Sequence, residues 1–167
     1  TQSAELNQKL LTMRVHGAEN RYFHQTVGGN FRLDPIQAAV LVVKLKHLEE
    51  QHKNRQKNAA YYNEKLTQNV IKPKVSDGNR MIYNQYTIRT EKRDALQEAL
   101  NNKKIGNAVY YPLSLHVQEC FKDLGYKEGD CPESEKASKE VLSIPIYSEL
   151  TDEQKDYVID TINSFIG

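Results

Sequence analysis

The sequence predicts an α/β protein in which a long helix leads into a small layer of short strands and helices. Two observations carry this prediction. The run from Pro35 to Leu66 contains no glycine and no internal proline, so a single helix can extend through it. After Lys72, apolar and tyrosine-rich segments of strand length alternate with segments of helical periodicity, which is typical of a small α+β layer with about three strands.

The first element is predicted to be an amphipathic helix over residues 4–14. Ser3 is a suitable N-cap, and Gly17 ends the helix. Its apolar face consists of Leu6, Leu10 and Met13. Residues 20–31 are expected to form a loop, in which the candidates for contact with a partner are Arg21, Tyr22, Phe23 and His24.

The long helix is predicted to change character along its length. Residues 36–45 are apolar almost all round and are expected to be buried. Farther on, apolar side chains alternate by four and three residues along one seam, which His52 and Arg55 interrupt. A solvent-facing middle of the helix is favoured over a binding role, which stays open as the alternative. The seam consists of Leu41, Leu45, Leu48, His52, Arg55, Ala59, Tyr62 and Leu66.

The remainder of the chain is predicted to alternate between strands and helices. Pro112 stops one short strand, since proline cannot donate to a ladder. Thr151 caps the last helix, whose core side holds Tyr157, Val158, Ile162 and Phe165. The predicted strands are 81–90, 108–111 and 142–146, and the predicted helices are 91–104, 116–124, 132–141 and the segment after Thr151.

Composition narrows the classes of function. A net charge of +1 with interspersed signs gives no electrostatic case for nucleic acid or a membrane surface. Cys120 and Cys131 are the only cysteines, and their spacing does not fit a metal site. Two lone thiols indicate a reducing cytoplasm.

A glycine-rich turn before the long helix is the strongest candidate for a binding site. Gly28 and Gly29 can adopt positive φ and leave backbone N–H groups open to an anion, while Asn30 and Arg32 add side-chain donors. Asp34 followed by proline is a helix start. The alternative interpretation is a tight turn whose glycines only relieve strain.

Two strings of residues make a more specific identification. The segment from Val27 to Val40, VGGNFRLDPIQAAV, resembles the G-x-N-x-R-L-D-x-I-Q-A-A segment of the DegT/StrS family of nucleotide-sugar aminotransferases, which use pyridoxal phosphate. The segment from Tyr110 to Gln118, YYPLSLHVQ, is similar to the family's Y-Y-P-x-P-L-H-x-Q loop. Ser114 stands where the family usually has proline, so a less rigid loop is expected.

The resemblance implies the aspartate-aminotransferase fold of type I and a particular division of the chain. Residues 1–34 would be the C-terminal remnant of the large cofactor-binding domain, residues 35–66 the long interdomain helix, and residues 67–167 the small C-terminal α+β domain. In the family, the lysine that binds the cofactor covalently lies upstream of the matching segment. No catalytic residue is therefore expected among these residues, and the chain by itself is expected to be inactive.

The resemblance also implies roles for individual residues. Asn30, with Gly29 beside it, would reach the phosphate of pyridoxal phosphate in the partner subunit of a homodimer. Arg32, Tyr111 and His116 would contact the nucleotide sugar or the amino-acid donor, which we expect to be glutamate. The expected function is amino transfer to a keto-sugar nucleotide in bacterial polysaccharide or amino-sugar biosynthesis. A related pyridoxal-phosphate sugar dehydratase and a non-catalytic regulatory protein on the same scaffold are the alternatives.

Overall fold

The computed structural model describes residues 1–20 and 22–167, and the chain divides into two compact units. Unit 1 is Thr1–His47 and unit 2 is Leu48–Gly167. Arg21, one of the predicted partner contacts, lies outside the described residues. Among the helices of the described ranges, none combines the length and the apolar character that a membrane span requires.

Unit 1 begins with the predicted amphipathic helix, α1 (Ala4–Met13). Ser3 caps it, because the Ser3 hydroxyl accepts the N–H of Leu6 at 3.2 Å. A small antiparallel hairpin of β1 (Ala18–Asn20) and β2 (Phe23–His24) follows. The sequence interpretation had a loop here, since these short strands carry no alternating apolar pattern.

The long helix is predicted as one piece, and this prediction is wrong. It forms α2 (Pro35–Leu45) in unit 1 and α3 (Leu48–Lys65) in unit 2. At the break, the N–H of Lys46 bonds to Val43 O at 3.3 Å and that of His47 to Lys44 O at 3.0 Å. These bonds span three residues instead of four, which tightens the helical turn. The sequence has no glycine or proline at this point, so it gives no signal for the break.

Helix α2 is exposed within the chain, although its apolar composition predicts burial. Ile36 is 82% exposed and Leu45 69% exposed. In the described residues this helix has no buried side chain. The apolar composition of α2 is typical of a helix that packs against other residues. Residues 1–20 and 22–47 do not cover it.

Unit 2 packs helices around a two-stranded antiparallel sheet. In this sheet β3 (Tyr86–Arg89) pairs with β4 (Val141–Ile144), and Tyr86 lies opposite Ile144. The helices that follow α3 are α4 (Arg93–Asn102), α5 (Pro132–Glu140) and α6 (Asp152–Ile166), with two short 3-10 helices at Leu115–Val117 and Glu119–Leu124.

The predicted third strand, 108–111, is reduced to one bridge. Ala108 and Ser143 exchange two backbone bonds, of 3.0 and 2.8 Å. The ladder stops there because Tyr111, at φ 58°, turns the chain away just before Pro112. The strand predicted over 81–90 is shortened for a similar reason, since Tyr83 has φ 49°.

Among the described residues, those that form the hydrophobic core all belong to unit 2. Tyr62, Tyr86 and Leu100 are completely buried, and the tyrosine rings of Tyr62 and Tyr86 pack with centroids 5.1 Å apart. Helix α6 contributes Val158 and Ile162, as predicted, whereas Tyr157 and Phe165 are 49% and 37% exposed. The core residues are Ala59, Tyr62, Leu66, Val70, Tyr83, Tyr86, Ile88, Leu96, Leu100, Ile105, Leu142, Ile144, Ile146, Leu150, Val158, Ile159, Ile162 and Ile166.

The polar middle of α3 is predicted to face solvent, and the structure corrects this. The Arg55 guanidinium donates to Ile146 O at 2.6 Å and to Tyr83 O at 3.3 Å. Asn58 is 5% exposed and donates to Tyr147 O at 2.8 Å. These polar side chains donate hydrogen bonds to backbone carbonyls of two connecting segments. The sequence pattern alone cannot distinguish this role from exposure to solvent.

Candidate functional site

The glycine-rich turn is anchored to the end of α1 by backbone hydrogen bonds. Gly29 donates to Met13 O at 3.0 Å and accepts from the His16 N–H at 2.9 Å. The N–H of Phe31 donates to Arg14 O at 3.1 Å. Asn30 lies between these anchors, so the position of its backbone is fixed on both sides.

Gly28 is required for close approach, and neither Gly28 nor Gly29 has a positive φ. A Cβ on Gly28 would lie 2.4 Å from the Gly17 nitrogen and 2.5 Å from Met13 O. The positive φ, 72°, belongs to Gly17. The expectation that both glycines offer free N–H groups is also wrong for Gly29, whose N–H is already bonded to Met13.

Asn30 and Arg32 form the polar pair of this turn. Both side chains are exposed, and Arg32 Nε donates to Asn30 Oδ1 at 3.0 Å. Because this bond uses the amide oxygen, the group that Asn30 offers to a ligand is its NH₂ donor. A guanidinium and an amide donor side by side are chemistry suited to a phosphate or a carboxylate.

Tyr111 is exposed and adopts an unfavourable backbone conformation. Its side chain is 73% exposed and its φ is 58°, in the left-handed region. The residue before a proline is normally extended, so Tyr111 is strained both by its side chain and by Pro112. Strain of this kind is concentrated at ligand-binding sites.

Tyr111 also lines a pocket of about 330 Å³. One wall is the segment from Tyr110 to Leu115, and the other is the face of α5. Ser134 on α5 donates to the buried hydroxyl of Ser114 at 3.1 Å. This bond ties the loop at the position where the sequence led us to expect less rigidity. The pocket is lined by Tyr110, Tyr111, Ser114, Leu115, Ser134, Ala137, Ser138 and Val141.

His116 follows this loop and is hydrogen-bonded to an acidic side chain of α5. Its side chain is 9% exposed, and its Nε2 is 2.9 Å from Glu135 Oε1. The edge of its ring meets Tyr126 in a T-shaped arrangement with centroids 6.4 Å apart. This ring nitrogen is therefore engaged inside the protein, so the geometry favours a supporting role for His116 over direct contact with substrate.

Glu135 is the residue that sequence reasoning missed. It stands in the first turn of α5, where an acidic side chain is expected simply to complement the helix dipole. Its Oε1 also accepts the N–H groups of Gly129 at 2.8 Å and Cys131 at 3.3 Å. The Gly129 N–H, with smaller contributions from His116 and Cys131, lowers the pKa of Glu135 despite its burial.

The predicted site residues thus form two groups in different units. The structure brings Asn30 and Arg32 together in unit 1. In unit 2 it places Tyr111 at a pocket and His116 behind one wall of that pocket.

The sequence profile of the DegT/DnrJ/EryC1/StrS aminotransferase family matches residues 1–163. The chain belongs to this family. The resemblance predicted from the sequence is confirmed.

Two curated relatives illustrate the range of the family. The chain is 47% identical over 169 residues to the pleiotropic regulatory protein of Geobacillus stearothermophilus, covering 99% of this chain and 45% of that protein. It is 36% identical over 155 residues to a UDP-N-acetyl-3-dehydro-alpha-D-glucosamine 3-aminotransferase of Acidithiobacillus ferrooxidans, covering 92% and 42%. The chain therefore spans less than half the length of these relatives.

Two solved structures share the fold of this chain. DesV of S. venezuelae, crystallised with a ketimine intermediate, superimposes with a TM-score of 0.92 at 32% identity, over 99% of this chain and 45% of DesV. An aminotransferase of the same family from Brucella abortus gives a TM-score of 0.90 at 37% identity, over 100% and 45%. The predicted α/β aminotransferase fold is confirmed at this level.

Proposed function

We propose that this chain is the C-terminal part of a pyridoxal-phosphate-dependent aminotransferase that transfers an amino group, from glutamate, to a keto-sugar nucleotide. The observation that carries the proposal is the Asn30–Arg32 pair, held at a turn that is anchored on both sides to the end of α1. The family match and the relatives named as sugar aminotransferases support it.

The donor set of the turn fits the phosphate of the cofactor. Asn30 would donate from its NH₂ group while Arg32 holds the amide oxygen, which fixes the direction of the donor. Gly29 would hold the turn in place through its backbone bonds to Met13 and His16, and its own N–H would not donate to the phosphate. When bound, pyridoxal phosphate supplies the electron-withdrawing ring that amino transfer requires.

We infer that the active form is a homodimer in the cytoplasm. Asn30 would serve the cofactor of the partner subunit, so each site would be incomplete without a second copy. In this arrangement residues 1–34 close the large domain, residues 35–66 bridge the domains, and residues 67–167 form the small domain. The setting we propose is bacterial polysaccharide or amino-sugar biosynthesis.

The pocket at Tyr111 would take part of the nucleotide sugar. Its walls combine two tyrosines with aliphatic side chains and serine hydroxyls, a lining that suits a ring carrying polar substituents. Arg32 would contribute positive charge toward the substrate or the donor carboxylate.

The test is turnover by the intact protein that carries this chain. With pyridoxal phosphate, glutamate and a panel of UDP- and dTDP-linked 3-keto sugars, we expect 2-oxoglutarate to form with at least one sugar. A dehydratase would consume the sugar without forming 2-oxoglutarate at matching stoichiometry. A non-catalytic regulator, the role suggested by the name of the Geobacillus relative, would show no turnover with any sugar, and either result would overturn the proposal.

A further inference from the structure

Glu135 joins three separate parts of unit 2 through one oxygen atom. Its Oε1 lies 2.9 Å from His116 Nε2 and accepts the N–H groups of Gly129 and Cys131 at 2.8 and 3.3 Å. His116 belongs to a 3-10 helix, Gly129 and Cys131 to the connection before α5, and Glu135 to α5 itself. One carboxylate thus fixes the relative position of a loop, a connection and a helix.

The His116–Glu135 pair is largely shielded from solvent. The side chains of His116 and Glu135 are 9% and 14% exposed. Removing one partner would leave the other as a poorly solvated polar group without its hydrogen-bond partner. The two N–H groups of Gly129 and Cys131 would lose their acceptor at the same time.

Each partner of the His116–Glu135 pair is the chain neighbour of a residue that lines the Tyr111 pocket. His116 follows Leu115, which lines the loop wall, and Glu135 follows Ser134, which lines the helix wall. The Ser134–Ser114 bond of 3.1 Å connects the same two walls, one residue before Glu135 and two residues before His116. The contact between His116 and Glu135 therefore connects the two elements that form the walls of the pocket.

We propose that Glu135 is a positioning residue for substrate binding, which holds the Tyr111 loop at its working distance from α5 through His116. The proposal rests on the proposed function, because it takes the Tyr111 pocket to be the substrate site. Glu135 itself touches neither substrate nor cofactor. Its effect is on affinity for the nucleotide sugar and not on the amino-transfer step.

The chain offers a matched control on the same helix. Glu140, at the C-terminal end of α5, is 12% exposed and pairs with Arg89 at 2.7 Å. It lines a different cavity, with Arg89, Thr90 and Lys136 among its walls. Glu140→Ala removes a carboxylate that is as buried as that of Glu135, and Glu140 has its ion pair with Arg89, outside the Tyr111 loop.

The first measurement is steady-state kinetics of the intact enzyme. Glu135→Ala should raise KM for the nucleotide sugar at least about tenfold and change kcat by less than about threefold. Glu135→Gln should recover part of the loss, because its amide oxygen can still accept from Gly129 and Cys131. Glu140→Ala should leave KM unchanged even where it lowers the melting temperature. Equal KM values for Glu135→Ala and Glu140→Ala would overturn the proposal.

The second measurement needs no turnover and so separates this proposal from the proposed function. In amide hydrogen exchange of the intact protein, Glu135→Ala should speed exchange in residues 113–118 and 127–131, whereas Glu140→Ala should not. If the wild type fails to transaminate but this exchange pattern is found, the proposed function fails and the positioning of the loop stands. If exchange in 113–118 is the same in both variants, Glu135 does not position the loop.

Discussion

At the scale of single residues, Asn30 is the side chain on which the proposed cofactor contact depends. In the intact enzyme, Asn30→Ala removes a hydrogen bond to a charged group, which contributes about 1.5–3 kcal/mol. Affinity for pyridoxal phosphate should fall by roughly ten- to a hundredfold. Saturating cofactor should restore most of the turnover. Fluorescence titration of the apoenzyme with the cofactor measures the change.

Three further variants make this test specific. Asn30→Asp keeps the shape but replaces the donor with a negative charge, so it should lose more affinity than Asn30→Ala. Asn79→Ala, in an exposed turn of unit 2, should behave as wild type. Arg32→Ala should mainly raise KM for substrate or donor, with a smaller loss of cofactor affinity because Asn30 loses its orienting partner. Unchanged cofactor affinity in Asn30→Ala, together with impaired folding, would make the turn purely structural.

Glu135 also predicts a dependence of stability on pH. The hydrogen bond from the Gly129 N–H, aided by His116, lowers the folded-state pKa of this carboxyl from its ordinary 4.5. A lowered pKa contributes stability that is fully present above about pH 4.5 and is lost as the pH falls through the folded value. The difference in melting temperature between wild type and Glu135→Gln should therefore shrink as the pH drops below 4.5. A difference that stays constant down to pH 3 would contradict this cause.

At the scale of elements, α6 is the helix whose start is most firmly defined. Thr151 and Gln154 form a capping box, with Gln154 N–H donating to Thr151 Oγ1 at 3.3 Å and Thr151 N–H donating to Gln154 Oε1 at 3.1 Å. Thr151→Ala should lower the free energy of unfolding by about 1 kcal/mol, and Thr151→Ser should restore most of it. Calorimetric unfolding of the intact protein distinguishes the two, and equal losses in both variants would show that the methyl group matters more than the cap.

The elements also show what a sequence can and cannot predict. Helices such as α1, α5 and α6 were predicted to within a few residues, because caps and periodicity are local signals. The break at Lys46–His47 and the loss of the strand at Tyr111 carry no such signal. Both depend on backbone geometry that several residue types can adopt.

The candidate site was predictable in part for the same reason. Asn30 and Arg32 stand two residues apart in a specific string, and the structure pairs them. The partnership of His116 with Glu135 joins residues 19 positions apart across a 3-10 helix and a connection. The spacing of these residues in the sequence does not predict their contact, because tertiary packing creates it.

At the scale of the whole molecule, the two units differ in how far they can stand alone. Every core residue lies between Ala59 and Ile166, within unit 2. Residues 48–167 expressed by themselves should unfold in one cooperative transition with an enthalpy of roughly 80 kcal/mol. Residues 1–47, whose α2 exposes most of its apolar surface, should show no such transition. Differential scanning calorimetry of the two peptides tests this, and a broad, non-cooperative melt of 48–167 would refute it.

The pairing of α3 with α6 has a consequence for biosynthesis. Lys155 donates to Asn58 at 3.1 Å, and Asn163 donates to the carbonyl of Lys65 at 3.0 Å. A ribosome needs roughly 5–20 s to add the residues that separate Lys65 from Ile166. During that interval the apolar face of α3 emerges without its partner helix, so Tyr62 and Leu66 of the nascent chain are exposed to solvent. Unit 2 can complete its core only after synthesis has passed Ile166. Before then, a chaperone that binds exposed apolar helices can bind this segment.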